Sequence, residues 1–192
     1  MKNRKVYVTT FCGVAVAMNI VLGIITSALG IPLYLDTLGT VLSAAILGPL
    51  PGIIVGALSN IITGLIYSVS DIPFCLVNMA VGLIVGLVAH KVAKINESTD
   101  KKYVFKWSVI ASVAGLAFNV VADPIVGYFY KQYILGQPQE LAQALAKMSA
   151  VATLFNAVVS VILVAVIYNA VRPVLIKSHL LTVTGKKKEQ AA

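Results

Sequence analysis

The chain alternates between long apolar runs and short segments that are polar or contain proline and glycine. Its longest apolar runs are the first and the last, at about residues 6–29 and 145–171. The intervening runs cover about residues 35–48, 52–67, 73–92 and 105–124. A helix needs about 20 mainly apolar residues to cross a bilayer. The pattern therefore predicts six transmembrane helices, the second and third of them short.

Composition agrees with this prediction. The chain of 192 residues is 59% hydrophobic and 11% charged, and its mean hydropathy is +0.92. A soluble domain of this length could not bury so much apolar surface, so lipid must solvate part of it. We therefore expect an all-α membrane protein with a single six-helix domain at residues 1–176. A basic tail is expected to follow at residues 177–192.

The placement of positive charge predicts the topology. The net charge is +8, and 13 of the 15 Lys and Arg residues lie in segments 1–5, 91–106 and 172–188. Short loops rich in Lys and Arg stay in the cytoplasm. Both termini and the central polar loop are therefore predicted to be cytoplasmic. Because the basic clusters flank apolar runs, a nucleic-acid-binding surface is not expected.

Five asparagines lie inside the apolar runs, each with a small or acidic residue four positions later. The pairs are Asn19/Gly23, Asn60/Gly64, Asn78/Gly82, Asn119/Asp123 and Asn156/Ser160. Residues four apart share one face of a helix. An amide in hydrocarbon costs free energy unless it has hydrogen-bond partners. These stripes are therefore expected to face inward, where they either bridge helices or contact a ligand.

The depth of each residue in the membrane can be estimated from its position along its helix and the predicted topology. By this estimate, polar groups from at least four helices meet in the outer leaflet. An acidic residue inside a membrane helix is by default a functional candidate. The predicted substrate-binding residues are Asp36, Thr37, Thr40, Asn60, Asn78, Asn119, Asp123, Tyr128 and Asn156. Tyr128 is expected to belong to a lid with its two aromatic neighbours. Asn19 is expected to pack between helices, and Asp36 has the alternative role of helix N-cap.

The predicted pocket contains acids and amides but almost no base. Lys131 and Lys147 are the only basic candidates outside the three clusters. This favours a neutral or weakly cationic ligand rich in hydrogen-bonding groups. The aromatic neighbours would allow a flat ring to stack, and backbone amides at broken helices could also bind an anion. The two cysteines and two histidines show no metal-ligand spacing. Neither a cofactor nor a metal site is therefore predicted.

The first apolar run carries a second kind of signal. Gly13 and Ala17 form a small-xxx-small pair, which lets another helix approach closely. The pair either packs within this bundle or docks on another membrane subunit.

The segment at residues 46–58, Ile-Leu-Gly-Pro-Leu-Pro-Gly-Ile-Ile-Val-Gly-Ala-Leu, resembles a Leu-Gly-Pro-x-x-Gly turn followed by a small-residue helix. Together with six spans, two cytoplasmic termini and an outer polar pocket, it resembles the substrate-binding S component of an energy-coupling factor (ECF) transporter. The resemblance implies capture of a vitamin or related micronutrient at a prokaryotic plasma membrane. It further implies a transmembrane coupling protein and two ATP-binding cassette ATPases as partners, with docking near Gly13 and Ala17.

Other functions stay open at this point. A small stand-alone carrier or channel would have a similar hydropathy pattern. An intramembrane enzyme could use Asp36 and Asp123, although no histidine or cysteine is expected near them. The sequence contains no Gly-x-x-x-x-Gly-Lys-Ser/Thr run, so ATP hydrolysis is expected to reside in partner subunits.

Overall fold

A computed structural model, which describes residues 2–30, 34–177 and 181, consists of six α-helices and no strand within those residues. The helices are α1 (Lys2–Ala28), α2 (Leu38–Leu47), α3 (Pro49–Ile66), α4 (Cys75–Leu87), α5 (Lys101–Phe129) and α6 (Gln139–Lys177). A 3₁₀ segment, Val69–Phe74, leads into α4. The π-helical turns Val88–Val92 and Tyr130–Ile134 continue α4 and α5. The predicted all-α membrane fold is confirmed.

Five of the helical stretches are long and apolar enough to cross a membrane, and α2 is the exception. Its 10 residues span about 15 Å, roughly half the hydrocarbon thickness. Residues 38–46 of α2 are all buried, and the helix contacts α1, α3, α4 and α6. A short helix is tolerated at this depth because protein, not lipid, surrounds its ends.

Two prolines that we expected to disturb helices lie inside them instead. The apolar runs at about residues 105–124 and 145–171 predict that the fifth span weakens at Pro124 and that the sixth ends before Pro173. Helix α5 continues through Pro124, and α6 continues through Pro173 to Lys177. In a membrane bundle, neighbouring helices can satisfy the carbonyl that a proline leaves free. Apart from Lys177 and Leu181, the predicted tail lies outside the described residues.

The alternating direction of the helices separates the basic residues from the predicted pocket. The start of α1, the segment 91–106 and the end of α6 lie at one end of the bundle, which we call the basic end. The turns joining α1 to α2, α3 to α4 and α5 to α6 lie at the other end. The polar residues predicted to bind substrate follow those turns.

Helices α3 and α4 pack closely because glycines line their contact. A Cβ atom added to Gly56 would lie 2.5 Å from the carbonyl oxygen of Asn78. One added to Gly52 would lie 2.6 Å from the Cβ of Ala44 on α2. Gly48, with φ of 109°, makes the tight turn from α2 into α3 in a conformation that favours glycine. Small residues therefore hold α2, α3 and α4 together, as is common between membrane helices.

A polar cluster at the basic end ties α6 to the buried helix α2. Tyr168 of α6 donates its hydroxyl to Asn96 Oδ1 at 2.9 Å, and Asn96 Nδ2 donates to the Ile46 carbonyl at 3.0 Å. The buried Arg172 guanidinium donates to the carbonyls of Ile95 and Ser98. The bond to Ile46 satisfies a carbonyl in the last turn of α2, which has no partner within the helix. The bonds from Arg172 satisfy two carbonyls of the segment between α4 and α5.

We predict that Gly56→Ala lowers the stability of the ligand-free protein, because the new methyl group meets an immovable backbone oxygen. Overpacking of this kind costs about 1–3 kcal/mol, which exceeds the gain of about 1 kcal/mol in helix propensity. Thermal unfolding in detergent micelles measures the effect. Gly13→Ala is the matched control, since a Cβ at Gly13 has nothing within 4 Å. Equal melting temperatures for the two variants would contradict the packing argument.

Candidate functional site

A cavity of about 890 Å³ opens at the end of the bundle opposite the basic end. Its wall includes residues from the C-terminal halves of α1, α3 and α5 and from the N-terminal half of α6. The segments that lead into α2 and α4, the start of α4 and the π-helical turn after α5 complete it. The cavity therefore lies where the predicted topology brings the polar residues of several helices together.

Seven of the nine residues proposed to bind substrate line this cavity. They are Asp36, Thr37, Asn60, Asn78, Asn119, Asp123 and Asn156. Their spacing in sequence is large, but each lies near the cavity end of its helix or of the segment before it. The structure thus brings the predicted polar groups together in one wall.

The other two predicted residues do not lie in the wall. Thr40 lies one turn deeper on α2, where it is fully buried and its hydroxyl accepts a hydrogen bond from Asn19 at 3.1 Å. Tyr128 lies on a different face of α5 from the cavity-lining Gly127, and its ring packs edge-on against Phe129. Tyr130 is the member of the expected aromatic lid that does line the cavity.

Several residues of the cavity wall were not among those predicted to bind substrate. Four of them supply aromatic rings: Tyr34, Tyr67, Phe74 and Tyr130. Ser149 and Thr153 contribute hydroxyls from α6, and Asp71 and Lys131 contribute charge. The 149/153 pair has the same four-residue spacing as Asn156/Ser160 and continues the polar stripe of α6, which was the signal for it.

Three of the buried asparagines hold the bundle together. Asn19, which is fully buried, donates to Ser59 Oγ at 2.9 Å as well as to Thr40, and its Oδ1 accepts from the Gly39 amide at 2.6 Å. Asn78 donates to Asn60 Oδ1 across the α3–α4 contact, and Asn60 Nδ2 donates to the Asp71 carbonyl at 3.4 Å. These side chains line the cavity, but their hydrogen bonds already join helices.

Asn156 performs the same role for the segment before α2. Its Oδ1 accepts from the Leu35 amide at 2.9 Å, and its Nδ2 donates to Thr37 Oγ1 at 3.3 Å. Thr37 is itself the N-cap residue of α2, without a side-chain capping bond. The alternative role of Asp36 as N-cap is therefore wrong. Its Cβ lies 3.7 Å from a Cβ placed at Gly23, so α1 and the Asp36 segment are in close contact.

Asn119 and Asp123, one turn apart on α5, differ from the other polar pairs. Asn119 is only 4% exposed, yet its carboxamide has no hydrogen-bond partner among the described residues. Asp123 Oδ2 accepts from Ser149 Oγ at 2.6 Å and from Thr153 Oγ1 at 3.2 Å. Its second oxygen, Oδ1, has no hydrogen-bond partner within that part of the chain. This pair therefore has hydrogen-bonding capacity that the bundle does not use.

The charged side chains of the wall are unbalanced. Asp36, Asp71 and Asp123 contribute carboxyl groups, and Lys131 is the only basic residue in the wall as described. The Lys131 ammonium lies near Gly127, 3.6 Å from where a Cβ would stand, with the Phe74 ring beside it. The imbalance agrees with the expectation of a ligand that is neutral or weakly cationic.

A family model described as "ECF-type riboflavin transporter, S component" matches residues 3–173. The match covers all six helices except the first residue of α1 and the last residues of α6. No curated protein and no solved structure matches the chain significantly. The resemblance to S components is thereby confirmed. Because these are substrate-binding transport subunits, the prediction that the chain is not an enzyme is also confirmed.

We predict that two asparagine substitutions of equal size change stability differently. Asn19→Leu leaves the Gly39 amide and two hydroxyls without their partner and should cost about 1–3 kcal/mol. Asn119→Leu removes a carboxamide that has no partner in the bundle, so the melting temperature should stay the same or rise. Thermal unfolding of the ligand-free variants in one detergent makes the comparison. A greater loss for Asn119→Leu would contradict this division of roles.

Proposed function

The chain belongs to the family of ECF-type riboflavin transporter S components, and from this premise we propose that it captures riboflavin in the cavity described above. The bound vitamin would then enter the cell through a complex with partner subunits. The observation that carries this proposal is the coincidence of the family match with a polar, aromatic-walled cavity formed by the matched helices.

The dimensions and chemistry of the cavity support a ligand of this kind. Its volume of about 890 Å³ falls within the range of about 300–1,000 Å³ usual for small-molecule sites. Riboflavin combines a flat three-ring system with a hydroxylated side chain. Four aromatic residues of the wall offer surfaces on which such a ring stacks, and the amides, hydroxyls and carboxyl groups offer partners for its polar atoms.

The distribution of charge supports capture from outside. The cavity opens at the end opposite the basic end, and basic ends of membrane bundles face the cytoplasm. With this orientation, the site faces the outer leaflet of a prokaryotic plasma membrane and meets vitamin before it enters the cell. High affinity is part of the proposal, since a scarce nutrient must be bound at low concentration.

Helix α1 is the proposed docking face for the coupling protein. Of the five long helices it is the least buried: 17% of its most apolar stretch is buried, against 28% to 39% in the others. Gly13 and Ala17 are both exposed, and a Cβ at Gly13 would meet nothing within 4 Å. An exposed small-xxx-small pair allows a second helix to approach closely. Two ABC ATPases bound to that coupling protein would supply the energy.

We predict that the purified chain binds riboflavin stoichiometrically but does not transport it alone. Quenching of riboflavin fluorescence measures binding, and uptake into proteoliposomes measures transport. Uptake should require both the coupling protein and ATP-hydrolysing ATPases. Isothermal titration calorimetry is the second readout, because it detects binding even if riboflavin fluorescence does not change. Uptake by the chain alone without ATP would instead identify a stand-alone carrier and contradict the proposal.

We predict that Ala17→Leu reduces ATP-dependent uptake at least about tenfold while riboflavin affinity stays within about twofold, because a bulky side chain keeps the partner helix at a distance. Ala117→Leu is the matched control, since Ala117 is exposed at the middle of α5. Uptake and co-purification with the coupling protein are measured for both variants. An equal loss in the two would remove the docking role from α1.

A further inference from the structure

The polar side chains of the cavity wall divide into those that the fold uses and those that it does not. Asn19, Asn60, Asn78 and Asn156 all make hydrogen bonds that join helices or segments. Asn119 makes none within the described residues, although it is 96% buried and lines the cavity. Its amide atoms reach the cavity surface, where they are free to meet a ligand. Such a group is expected where a ligand supplies the missing partner.

Asp123 provides a second unused atom beside this amide. Residues four apart on a helix have Cβ atoms about 5–6 Å apart on one face. Ser149 donates to Oδ2 of Asp123 at 2.6 Å, and the Thr153 hydroxyl shares its proton between the Ser149 carbonyl at 2.8 Å and the same Oδ2 at 3.2 Å. These contacts hold the carboxyl group in one orientation. Oδ1 is left as an acceptor. The Asp123 carboxyl group is thus oriented before a ligand arrives, which lowers the entropic cost of binding.

The chemistry of the pair specifies the complementary ligand edge. A carboxylate oxygen only accepts hydrogen bonds, whereas a carboxamide both donates and accepts. The matching edge is planar and carries an N–H donor next to a carbonyl acceptor. Riboflavin has one such edge, the imide of its pyrimidine ring, where N3–H lies between two carbonyl groups. The sugar-like side chain leaves the central ring at N10, and the dimethylbenzene ring lies at the end opposite the imide.

We propose that Asn119 and Asp123 are the specificity-determining residues that read this imide edge. Asp123 Oδ1 accepts the hydrogen bond of N3–H, and the Asn119 amide group donates to a neighbouring carbonyl. This assignment rests on the proposed function and fixes the direction in which the ligand lies: the imide meets α5, and the dimethylbenzene ring points away from it. Asn60, Asn78 and Asn156 then serve to shape the wall.

The first test changes the ligand and leaves the protein intact, so folding cannot confound it. 3-Methylriboflavin replaces the N3–H by a methyl group and keeps the rest of the molecule. We expect wild-type protein to bind it about 10- to 100-fold more weakly than riboflavin, the usual effect of losing a hydrogen bond to a charged group. Equal affinities within about twofold would overturn the assignment. Calorimetry or fluorescence quenching gives both constants.

The second test separates hydrogen-bond recognition from simple crowding by the methyl group. In Asp123→Asn, which keeps the size of the side chain, the preference for riboflavin over its 3-methyl analogue should shrink to less than about threefold. Asn119→Leu should weaken riboflavin binding at least about tenfold. Asn169→Leu is the matched control: Asn169 lies on α6 outside the cavity and donates to the Ala165 carbonyl of its own helix at 2.7 Å.

These outcomes distinguish the inference from the proposed function. If riboflavin binds and the methyl preference persists undiminished in Asp123→Asn, the assignment to Asp123 is overturned and the transport function stands. If Asn119→Leu binds riboflavin as tightly as Asn169→Leu does, Asn119 has no part in recognition. If wild-type protein does not bind riboflavin, two claims are overturned: the proposed ligand, and the recognition of its imide edge by Asn119 and Asp123.

Discussion

The structure depends on one constraint: a polar group inside the bilayer must find its hydrogen-bond partner within the protein. Asn19 illustrates the constraint most directly. Its carboxamide lies at the junction of α1, α2 and α3, where it bonds the Gly39 amide near the start of α2 and the hydroxyls of Thr40 and Ser59. One side chain therefore satisfies an unpaired amide of the short helix and joins it to two neighbours.

The same constraint explains how a 10-residue helix can lie inside the bundle. Its start lies inside the bundle beside the cavity, and its other end lies beside the segment 91–106 at the basic end. At the cavity end, Asn19 and Asn156 satisfy groups in the segment 35–40. At the basic end, Asn96 satisfies the Ile46 carbonyl, and the Tyr168 hydroxyl fixes Asn96 in turn. Because α2 stops short of the bilayer surface, the space beyond its start is left to the cavity, whose floor is a polar network.

The candidate site could be predicted only as far as depth and chemistry allow. The placement of positive charge predicted the topology, and the topology predicted the depth of each polar residue in the membrane. Nine residues were proposed to bind substrate on this basis, and seven of them line the cavity. Thr40 was grouped with them because it lies one turn from Asp36, but rotation about the helix axis directs it at Asn19. The expectation that Tyr128 lines the pocket was wrong for a related reason. Adjacent residues of a helix point in directions about 100° apart, so Gly127 faces the cavity and Tyr128 does not.

The amino-acid sequence by itself determined the helical membrane fold, the direction of each helix and the end of the bundle at which polar groups collect. These properties follow from hydropathy and charge, which act on each segment separately. Only the tertiary structure decided which asparagine side chains form hydrogen bonds between helices. Asn119 has the same spacing to a polar neighbour as Asn156, and hydrogen bonding depends on what the neighbouring helix places opposite each one. Asn156 meets the segment before α2, whereas Asn119 faces an open cavity.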